Sequence, residues 1–228
     1  MKVLIITGGN IDDDFAFSFL SDKNYDEIIA VDGGLAFADR VKHRINDFRP
    51  THLVGDFDTI DPVILEQYIH CEDICVHQYI PEKDYTDTDI AVKLALRLVS
   101  EHSTSLDEKV LHIIGGTGTR LDHVMANLQM LKNIMESGVQ GAIIDSNNYI
   151  EMICGLRILN RSEIFGKYLS LIPASMELRG ITLDGFKYPL KNARTCFGES
   201  LCVSNELISD EGYIEIKEGI AWKILSRD

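Results

Sequence analysis

The sequence lacks the cysteine pattern of a disulfide-stapled protein or of a structural zinc site. Its five cysteines are an odd number and include no Cys-x-x-Cys pair. A disulfide framework uses an even set of cysteines, and a structural zinc site uses closely spaced thiols. We therefore expect free thiols in a reducing cytoplasm. The five positions are Cys71, Cys75, Cys154, Cys196 and Cys202.

Long apolar runs and basic residues are also scarce. No stretch approaches the roughly 20 apolar residues of a membrane helix, and the apolar run at the N-terminus is too short for a signal peptide. The 22 Lys and Arg residues face 36 Asp and Glu, which gives a net charge of −14. Because nucleic acids and anionic membranes bind basic surfaces, the sequence predicts a cytoplasmic protein that binds neither.

Aspartate, in contrast, is abundant and unevenly distributed. The chain has 21 Asp residues, and 15 of them lie within the first 89 residues. Glutamate suits solvated helix faces, whereas aspartate prefers caps, turns and metal shells. The first part of the chain is therefore a candidate carboxylate site.

The hydrophobic pattern changes near residue 146. Before that point, short apolar runs alternate with helical stripes, most clearly at 87–101 and 120–136, which is typical of a mostly parallel sheet with flanking helices. After it, short strand-like runs separated by glycines predict an antiparallel β-sandwich. We therefore expect an α/β domain at 1–146 and a sandwich at 147–228. The sandwich runs include 186–190, 200–204, 213–217 and 221–225.

Two candidate segments follow strands in the first half. Asp32-Gly33-Gly34 leads from a strand into a helix, where glycines let phosphate or sugar approach the backbone. A tight turn capped by Asp32 is the alternative. In Asp56-Phe57-Asp58, an extended backbone would point both carboxylates to one side, where they could hold Mg²⁺. Capping of the helix that opens at Asp61 is the alternative there.

The third segment runs from Lys83 to Asp89 and opens the helix at 87–101. Acidic residues at a helix N-terminus interact favourably with the helix dipole, which explains one or two of them. A second metal-binding arm, formed by Asp84 and Asp87 with Lys83 against phosphate, explains the whole set. Thr86 or Asp87 is expected to cap the helix.

The fourth segment, Gly115 to His123, joins a buried strand to a helix. Free backbone N–H groups, a positive helix end and the Arg120 guanidinium form an anion site. It is neither a G-x-G-x-x-G nor a Walker A loop, so the standard dinucleotide and P-loop motifs do not apply. Asp122 and His123 could simply occupy the exposed first turn, but Asn127, one turn further on, adds a polar group on that side.

Together these segments resemble the motifs of the thiamin pyrophosphokinase (thiamine diphosphokinase) family. The match consists of Asp-Gly-Gly at 32–34, Gly-Asp-Phe-Asp at 55–58, Lys-Asp-x-Thr-Asp at 83–87 and Gly-Gly-x-Gly-x-Arg-x-Asp-His at 115–123, followed by Ser204-Asn205 in the second domain. The departures are mild: Val31, Leu35 and Thr59 stand where the family usually has Ala, a smaller residue and Ser. The resemblance spans nearly the whole chain.

The resemblance implies that ATP and thiamine give thiamine diphosphate and AMP with the help of Mg²⁺. The first domain would bind nucleotide and metal, and the second would bind thiamine and form a homodimer with the thiamine site at the subunit interface. A Mg²⁺-dependent nucleotide phosphohydrolase and a non-catalytic nucleotide-sensing module are the rival functions. Trp222 would contact thiamine, although a core position in the sandwich is its alternative.

The resulting hypothesis assigns each candidate residue a role. The Mg²⁺ ligands are Asp56, Asp58 and Asp87. The catalytic set adds Asp84, Arg120 and Asp122, with Asp122 orienting the thiamine hydroxyl or accepting its proton. The nucleotide would be bound by Asp32, Gly33, Gly34, Lys83, Gly116, Thr117, Gly118, Arg120, His123 and Asn127. Thiamine would be bound by Asp122, Ser204, Asn205 and Trp222.

Overall fold

The computed structural model describes residues 1–80, 84–104 and 108–228. These residues form two compact units, Met1–Ser146 (unit 1) and Asn147–Asp228 (unit 2). Strands and helices alternate through unit 1. Its elements are β1 (Lys2–Ile6), α1 (Asp13–Ser21), β2 (Glu27–Val31), α2 (Gly34–Val41), β3 (His52–Gly55), α3 (Pro62–Ile69), β4 (Cys75–Gln78), α4 (Asp87–His102), β5 (Val110–Ile114), α5 (Leu121–Glu136) and β6 (Gln140–Ile144).

The strands of unit 1 pair in parallel in the order β6-β5-β1-β2-β3-β4. The central strands are continuously apolar; Val3–Ile6 and Ile29–Val31, for example, are buried. A strand that is buried on both faces needs helices on both sides of the sheet. This accounts for the alternating helical and strand-like runs of the sequence.

The helices of unit 1 divide between the two faces of the sheet. Phe17 of α1 stacks on Phe37 of α2, and α2 also contacts α3. By contrast, α4 packs on β1, β2 and β3 and contacts α5. In the described residues, none of these helices is long and apolar enough to cross a membrane.

The order in which strands are added to the sheet changes side at β1, while the strands themselves stay parallel. From β1 it proceeds through β2 and β3 to the β4 edge, and it then returns through α4 to β5 on the other side of β1. Crossovers between parallel strands are right-handed as a rule, so the loops after β1 and β5 open to opposite faces and leave a crevice at their carboxyl ends. Ligands of open α/β sheets bind in such a crevice.

Unit 2 consists of antiparallel strands organised around one long strand near the end of the chain. Its strands are β7 (Asn148–Asn160), β8 (Tyr168–Pro173), β9 (Glu177–Asp184), β10 (Leu190–Cys196), β11 (Asn205–Glu206) and β12 (Glu211–Ser226). β12 pairs with β7 along nearly its whole length, with β9 in its first half and with β8 in its second half. Its register shifts between Ile216 and Ala221.

The core of unit 2 is formed by side chains of β8, β9 and β12 together with neighbouring segments. Leu171 of β8, Ile181 of β9 and Ile214 of β12 belong to one buried cluster. Residues of one strand alternate between the cluster and the opposite face, as the pleat of a sheet requires. The antiparallel arrangement agrees with the predicted class.

Two of the expected strands of unit 2 are absent from the described structure. Residues 186–189 form only one bridge, between Phe186 and Leu207, Leu190 already belongs to β10, and residues 200–204 form turns and bends. Phe186 and Cys202 are buried in the core, so their apolar runs reflect burial without strand pairing. The runs at 213–217 and 221–225 are one strand, because the intervening Gly219 belongs to a bulged segment of β12 with φ +100°.

Candidate active site

The carboxyl ends of the parallel strands bring the predicted segments of unit 1 to one edge of the sheet. β2 delivers Asp32, β3 delivers Asp56 and β5 delivers the loop that begins at Gly115. α4 begins at Asp87 and brings its N-terminus to the same carboxylates. Four segments that are distant in sequence are therefore neighbours in the fold.

Asp32, Asp56 and Asp87 form a cluster of carboxyl groups. Burial, followed by the charge of Asp87, raises the pKa of Asp32 to about 6, and Asp56 and a hydrogen bond to Asp87 act in the same direction. The Phe57 N–H, which donates to Asp32 Oδ1 at 3.3 Å, opposes part of this rise. The cluster is thus a site of mutual repulsion that a cation would relieve.

The backbone around Asp32 is specialised for this placement. Asp32 itself has φ +41°, a left-handed conformation that is uncommon for a residue with a side chain. Gly55 lies against its carboxyl group, and a Cβ at position 55 would overlap Asp32 Oδ1. Glycine at the end of β3 is therefore required for Asp32 to reach the cluster.

The structure corrects the expected geometry of Asp56 and Asp58. Phe57 has φ +62° and is buried, so the segment turns instead of running extended. Asp56 Oδ1 accepts a hydrogen bond from the Asp58 N–H at 3.3 Å, and Asp58 is exposed. The capping alternative also fails, because Asp61 itself caps α3 by accepting from the Val63 N–H at 2.8 Å.

The N-terminus of α4 is capped by Thr86, as the sequence allowed. Thr86 Oγ1 accepts from the Asp89 N–H at 3.2 Å, which leaves Asp87 at the first helical position. Asp89 pairs with Lys93 at 3.4 Å along the helix, and Asp84 is exposed before the helix. Lys83, the predicted phosphate-neutralising residue, lies outside the described residues.

The loop after β5 is held open by specific hydrogen bonds. Gly115 has φ +71°, and its carbonyl accepts from Thr7 Oγ1 at 2.5 Å. Asn127 is buried, and its side-chain amide donates to the Gly116 carbonyl at 2.7 Å. Asn127 therefore fixes the conformation of the glycine loop from its buried side. It supports the predicted nucleotide site indirectly, whereas Gly118 of the same loop is exposed to solvent.

Arg120 and Asp122 form an ion pair at the start of α5. Arg120 Nη2 lies 2.6 Å from Asp122 Oδ2, and both side chains are well exposed. The hydrogen bond from Arg120 lowers the pKa of Asp122 to about 2. The guanidinium is therefore accessible to an anionic ligand. His123, next to this pair, is exposed.

The buried face of α5 differs from the predicted apolar stripe. Leu121 and Met125, which belong to that stripe, are exposed by 75% and 48%. The face that enters the interior instead carries Asn127, Leu131 and Ile134. The buried residues of α5 begin only at Asn127, so the apolar residues of its first turn are left exposed.

A fifth segment, the loop of residues 7–10 between β1 and α1, was not among the predicted ones. Asn10 donates its backbone N–H to the Thr117 carbonyl at 2.9 Å, and Gly8 lies against Gly33. The sequence signal was present, because Gly8-Gly9 directly follows an apolar strand in the same way as Gly33-Gly34 does.

The donor set of the carboxyl cluster suits a hard cation. It offers oxygen atoms, which Mg²⁺ prefers, and the pKa of Asp32 is raised by burial and by the negative charges that face it. Across residues 1–80, 84–104 and 108–228, no three His, Cys, Asp or Glu side chains form a ready metal cage. Mg²⁺ commonly uses one or two carboxylates and completes its shell with substrate phosphates and water. The residues present fit that mode of binding.

In unit 2 the structure separates the roles of Ser204 and Asn205. Ser204 is exposed in a left-handed conformation with φ +59°. Asn205 is only 4% exposed; its amide group donates to the Tyr188 carbonyl at 2.8 Å and accepts from the Tyr188 N–H at 3.0 Å. The expected direct contact of Asn205 with thiamine is therefore corrected to a structural role, because its side chain is occupied by the backbone.

Trp222 is not part of the core cluster of unit 2. Its strand neighbours Ala221 and Leu225 point into that cluster, while Trp222 is half-buried on the opposite face of β12. It lies opposite Ile172 of β8, which is partly exposed. Trp222 therefore lies outside this core cluster, and its ring is placed where part of it can meet solvent.

Comparison with known proteins gives the same family for both units. Residues 20–142 match "Thiamin pyrophosphokinase, catalytic domain", and residues 156–221 match "Thiamin pyrophosphokinase, vitamin B1 binding domain". The chain is 34% identical to the thiamine pyrophosphokinase of Bacillus subtilis over 179 residues, which are 78% of this chain and 79% of that protein. It is 26% identical to thiamin pyrophosphokinase 1 of Caenorhabditis elegans over 77% of this chain and 70% of that one.

Solved structures agree with the sequence comparison. The Bacillus subtilis thiamine pyrophosphokinase superposes with a TM-score of 0.82 and 30% identity, and each chain is covered completely. The Geobacillus thermodenitrificans enzyme gives a TM-score of 0.81 and 29% identity over 100% of this chain and 98% of the other. The predicted fold class is confirmed, and the chain belongs to the thiamin pyrophosphokinase family.

Proposed function

We propose that this chain is a thiamine diphosphokinase that transfers a diphosphoryl group from ATP to the hydroxyl group of thiamine. The products are thiamine diphosphate and AMP. Its family membership supports this activity, with thiamine and a nucleotide as substrates. The structural observation that carries the proposal is the meeting of Asp32, Asp56 and Asp87 beside the glycine loop at Gly115.

The transfer joins one oxygen to phosphorus and releases another. The thiamine hydroxyl oxygen attacks the β-phosphorus of ATP, and the bond from that phosphorus to the oxygen bridging to the α-phosphate breaks. AMP leaves with the electron pair of that bond, and the hydroxyl proton passes to an acceptor. Positioning and charge stabilisation supply most of the catalysis of such transfers. The residues of the chain therefore need to hold the two substrates in line.

Asp56 and Asp87 would hold Mg²⁺ against the phosphates, with Asp58 as a further ligand and Asp84 beside them. When bound, the cation neutralises charge on the polyphosphate and orients it. Asp56 and Asp87 both act on the pKa of Asp32, which supports their sharing one cation. Asp58 points to solvent in this structure, so its role depends on the substrate.

The nucleotide would lie over the glycine loops at Gly33-Gly34 and 116–118. Free N–H groups near helix starts bind phosphate oxygens, and the exposed Arg120 guanidinium adds a bidentate donor. Asn127 holds the loop in place through the Gly116 carbonyl. Asp32, His123 and Lys83 complete the proposed set, with Lys83 beyond the described residues.

Asp122 would orient the thiamine hydroxyl by accepting its hydrogen bond. Its pKa is lowered to about 2 by the hydrogen bond from Arg120, so it stays ionised and is a weaker base than an ordinary carboxylate. Orientation is therefore the role that its chemistry favours over proton removal.

Thiamine would be contacted in unit 2 by Trp222 and Ser204. An indole face attracts a cationic heteroaromatic ring by about 0.5–2 kcal/mol, and Trp222 is partly exposed outside the core. The resemblance further predicts a homodimer with the thiamine site at the subunit interface. A cytoplasmic location, expected from the free thiols, also remains a prediction.

A product analysis tests the proposed reaction against its rivals. The chain is incubated with ATP, Mg²⁺ and thiamine, and the nucleotides and thiamine esters are separated. Thiamine-dependent formation of AMP and thiamine diphosphate supports the proposal. ADP or inorganic phosphate formed without thiamine would indicate a phosphohydrolase, and intact bound ATP would indicate a sensing module.

A further inference from the structure

The loop of residues 7–10 lies between the two glycine loops of unit 1. β1 is the central strand at the switch point, with β2 on one side and β5 on the other. The loop that follows β1 is therefore flanked by the loop at Gly33 and by the loop that begins at Gly115. It occupies the position where ligands of open α/β sheets are bound.

Its packing leaves no room for a side chain at Gly9. A Cβ at that position would overlap the carbonyl oxygens of Gly115 and Thr117, which are backbone atoms. At Gly8 a Cβ would meet the Gly33 Cα at 3.4 Å. The three loops therefore approach one another backbone to backbone, and glycine at position 9 is what allows this.

Some backbone N–H groups of the loop donate hydrogen bonds, and others do not. Thr7 donates its N–H to the Ile114 carbonyl at 2.9 Å, and Asn10 donates its N–H to the Thr117 carbonyl at 2.9 Å. Between them, within the described part of the chain, the N–H groups of Gly8 and Gly9 donate no hydrogen bond. Both glycines are exposed to solvent.

Adjacent backbone N–H groups of a turn can donate to an anion, and both N–H groups are free in this loop as far as the described residues are concerned. The flanking bonds of Thr7 and Asn10 fix the loop, so the donors need no rearrangement to bind. The carboxyl group of Asp32, which precedes Gly33 in the chain, would repel an anion unless a cation stood between them. A magnesium-bound polyphosphate meets both conditions.

We propose that Gly8 and Gly9 bind the polyphosphate of the nucleotide through their backbone N–H groups, as a third phosphate loop between those at Gly33 and Gly115. This inference rests on the proposed function, because it takes the nucleotide as the ligand. It adds residues 7–10 to the site and gives Gly9 a role that only glycine can fill.

Gly9→Ala tests the proposal because its methyl group must separate the loop from Gly115. We expect the dissociation constant for ATP with Mg²⁺, measured by calorimetry without thiamine, to rise about tenfold or more. Gly138→Ala is the matched control: Gly138 has φ +72° and open space at the end of α5, so it brings backbone strain without touching the site. Its ATP affinity should stay within about twofold of the original.

Asn10→Asp covers the case in which Gly9→Ala fails to fold. This isosteric change keeps the backbone bond to Thr117 and adds a negative charge beside the free N–H groups. It should weaken ATP binding severalfold, less so at high salt, whereas Asn133→Asp on the exposed side of α5 should not. Original affinity in Asn10→Asp and in any folded Gly9→Ala overturns the proposal. If the original chain binds ATP but forms no thiamine diphosphate, the proposed function fails separately.

Discussion

Asp32, Asp56 and Asp87 are individually unfavourable neighbours. Burial and the charges of the other two raise the pKa of Asp32 to about 6, so the fold holds like charges close together. Surface acids could avoid this arrangement at no loss of stability. We therefore attribute their proximity to function. Replacing one of them should then lower activity without lowering stability.

Asp87→Asn and Asp56→Asn should separate these two effects. Each change removes a negative charge that faces Asp32, so the free energy of unfolding should stay constant or rise. Turnover should fall at least about a hundredfold, because the cation that neutralises the phosphates loses a ligand. Steady-state formation of thiamine diphosphate and denaturant unfolding measure the two effects.

The control for these variants is Asp14→Asn, whose side chain is 98% exposed on α1. It removes the same charge from the chain but lies away from the cluster. Near-normal turnover in both cluster variants would contradict the proposed magnesium ligands, as would equal losses in the control.

Trp222→Ala should change the use of thiamine more than the use of ATP. Loss of a stacked indole of about 0.5–2 kcal/mol corresponds to about a 2- to 30-fold rise in the KM for thiamine. The KM for ATP should remain within about twofold of the original, since Trp222 lies in unit 2. Tyr213→Ala, a partly exposed aromatic residue of the same strand, is the control. Equal rises in both KM values would indicate a structural role for the indole.

The parts of the candidate site that depend on residue type could be predicted from the sequence. The parts that depend on backbone conformation could not. Asp32, Asp56 and Asp87 could be found from sequence because each follows or opens an element at the same sheet edge. The turn at Phe57, with φ +62°, has no sequence signal, since a bulky residue rarely adopts it. Gly8 and Gly9 carried a signal, but its meaning depends on contact with Gly115, a residue more than a hundred positions away.

At the scale of elements, the turn before β11 shows how one side chain can organise a loop. Asn205 bonds both backbone groups of Tyr188 and accepts from the Glu206 N–H at 2.9 Å. These bonds tie the segment after β9 to the start of β11. The neighbouring Ser204 is exposed and is free to contact a ligand through its hydroxyl.

Asn205→Ala should destabilise unit 2, while Ser204→Ala should not. The first change removes the buried amide that bonds the N–H and the carbonyl of Tyr188, which costs about 2 kcal/mol of unfolding free energy. The second removes an exposed hydroxyl and should act on the KM for thiamine instead. Chemical unfolding and thiamine kinetics of both variants check this division. Unchanged stability in Asn205→Ala would contradict the structural role.

The elements of unit 1 were predictable because local signals agree with long-range packing. Thr86 caps α4 and Gly138, with φ +72°, ends α5, as their residue types predict. In unit 2 the apolar runs around Phe186 and Cys202 are buried without pairing, and a bulge joins two runs into β12. Strand pairing depends on distant partners, so apolar runs alone could not distinguish these cases.

At the scale of the whole molecule, the net charge of −14 opposes the binding of an anionic substrate, whereas local groups favour it. An acidic chain repels an anionic substrate, but salt largely screens this repulsion at distances beyond about 8–10 Å. Local groups must then bind the polyphosphate, and the exposed Arg120 beside Asp122 is one of them. The surplus acids lie largely in solvated positions such as Asp14 and Asp210.

Partly buried histidines make the stability of unit 1 depend on pH in the opposite sense to Asp32, whose pKa is raised. Burial, with smaller contributions from Lys23 and Lys2, lowers the pKa of His112 from 6.5 to about 4. Its Nδ1 forms a hydrogen bond with the Tyr25 hydroxyl at 2.8 Å. Burial also lowers the pKa of His52 and His77. The folded state therefore binds fewer protons on these rings than the unfolded state does.

The stabilisation from neutral His112 is complete above pH 6.5 and is lost as the pH falls through 4. The difference between the folded and unfolded pKa values corresponds to a loss of about 3 kcal/mol over this interval. His112→Gln removes the titrating group, so its unfolding free energy, measured in denaturant from pH 7 to pH 4, should fall by correspondingly less. His70→Gln alters an exposed histidine on the end of α3 and should keep the original slope. An unchanged slope in His112→Gln would show that this ring is not what destabilises the molecule in acid.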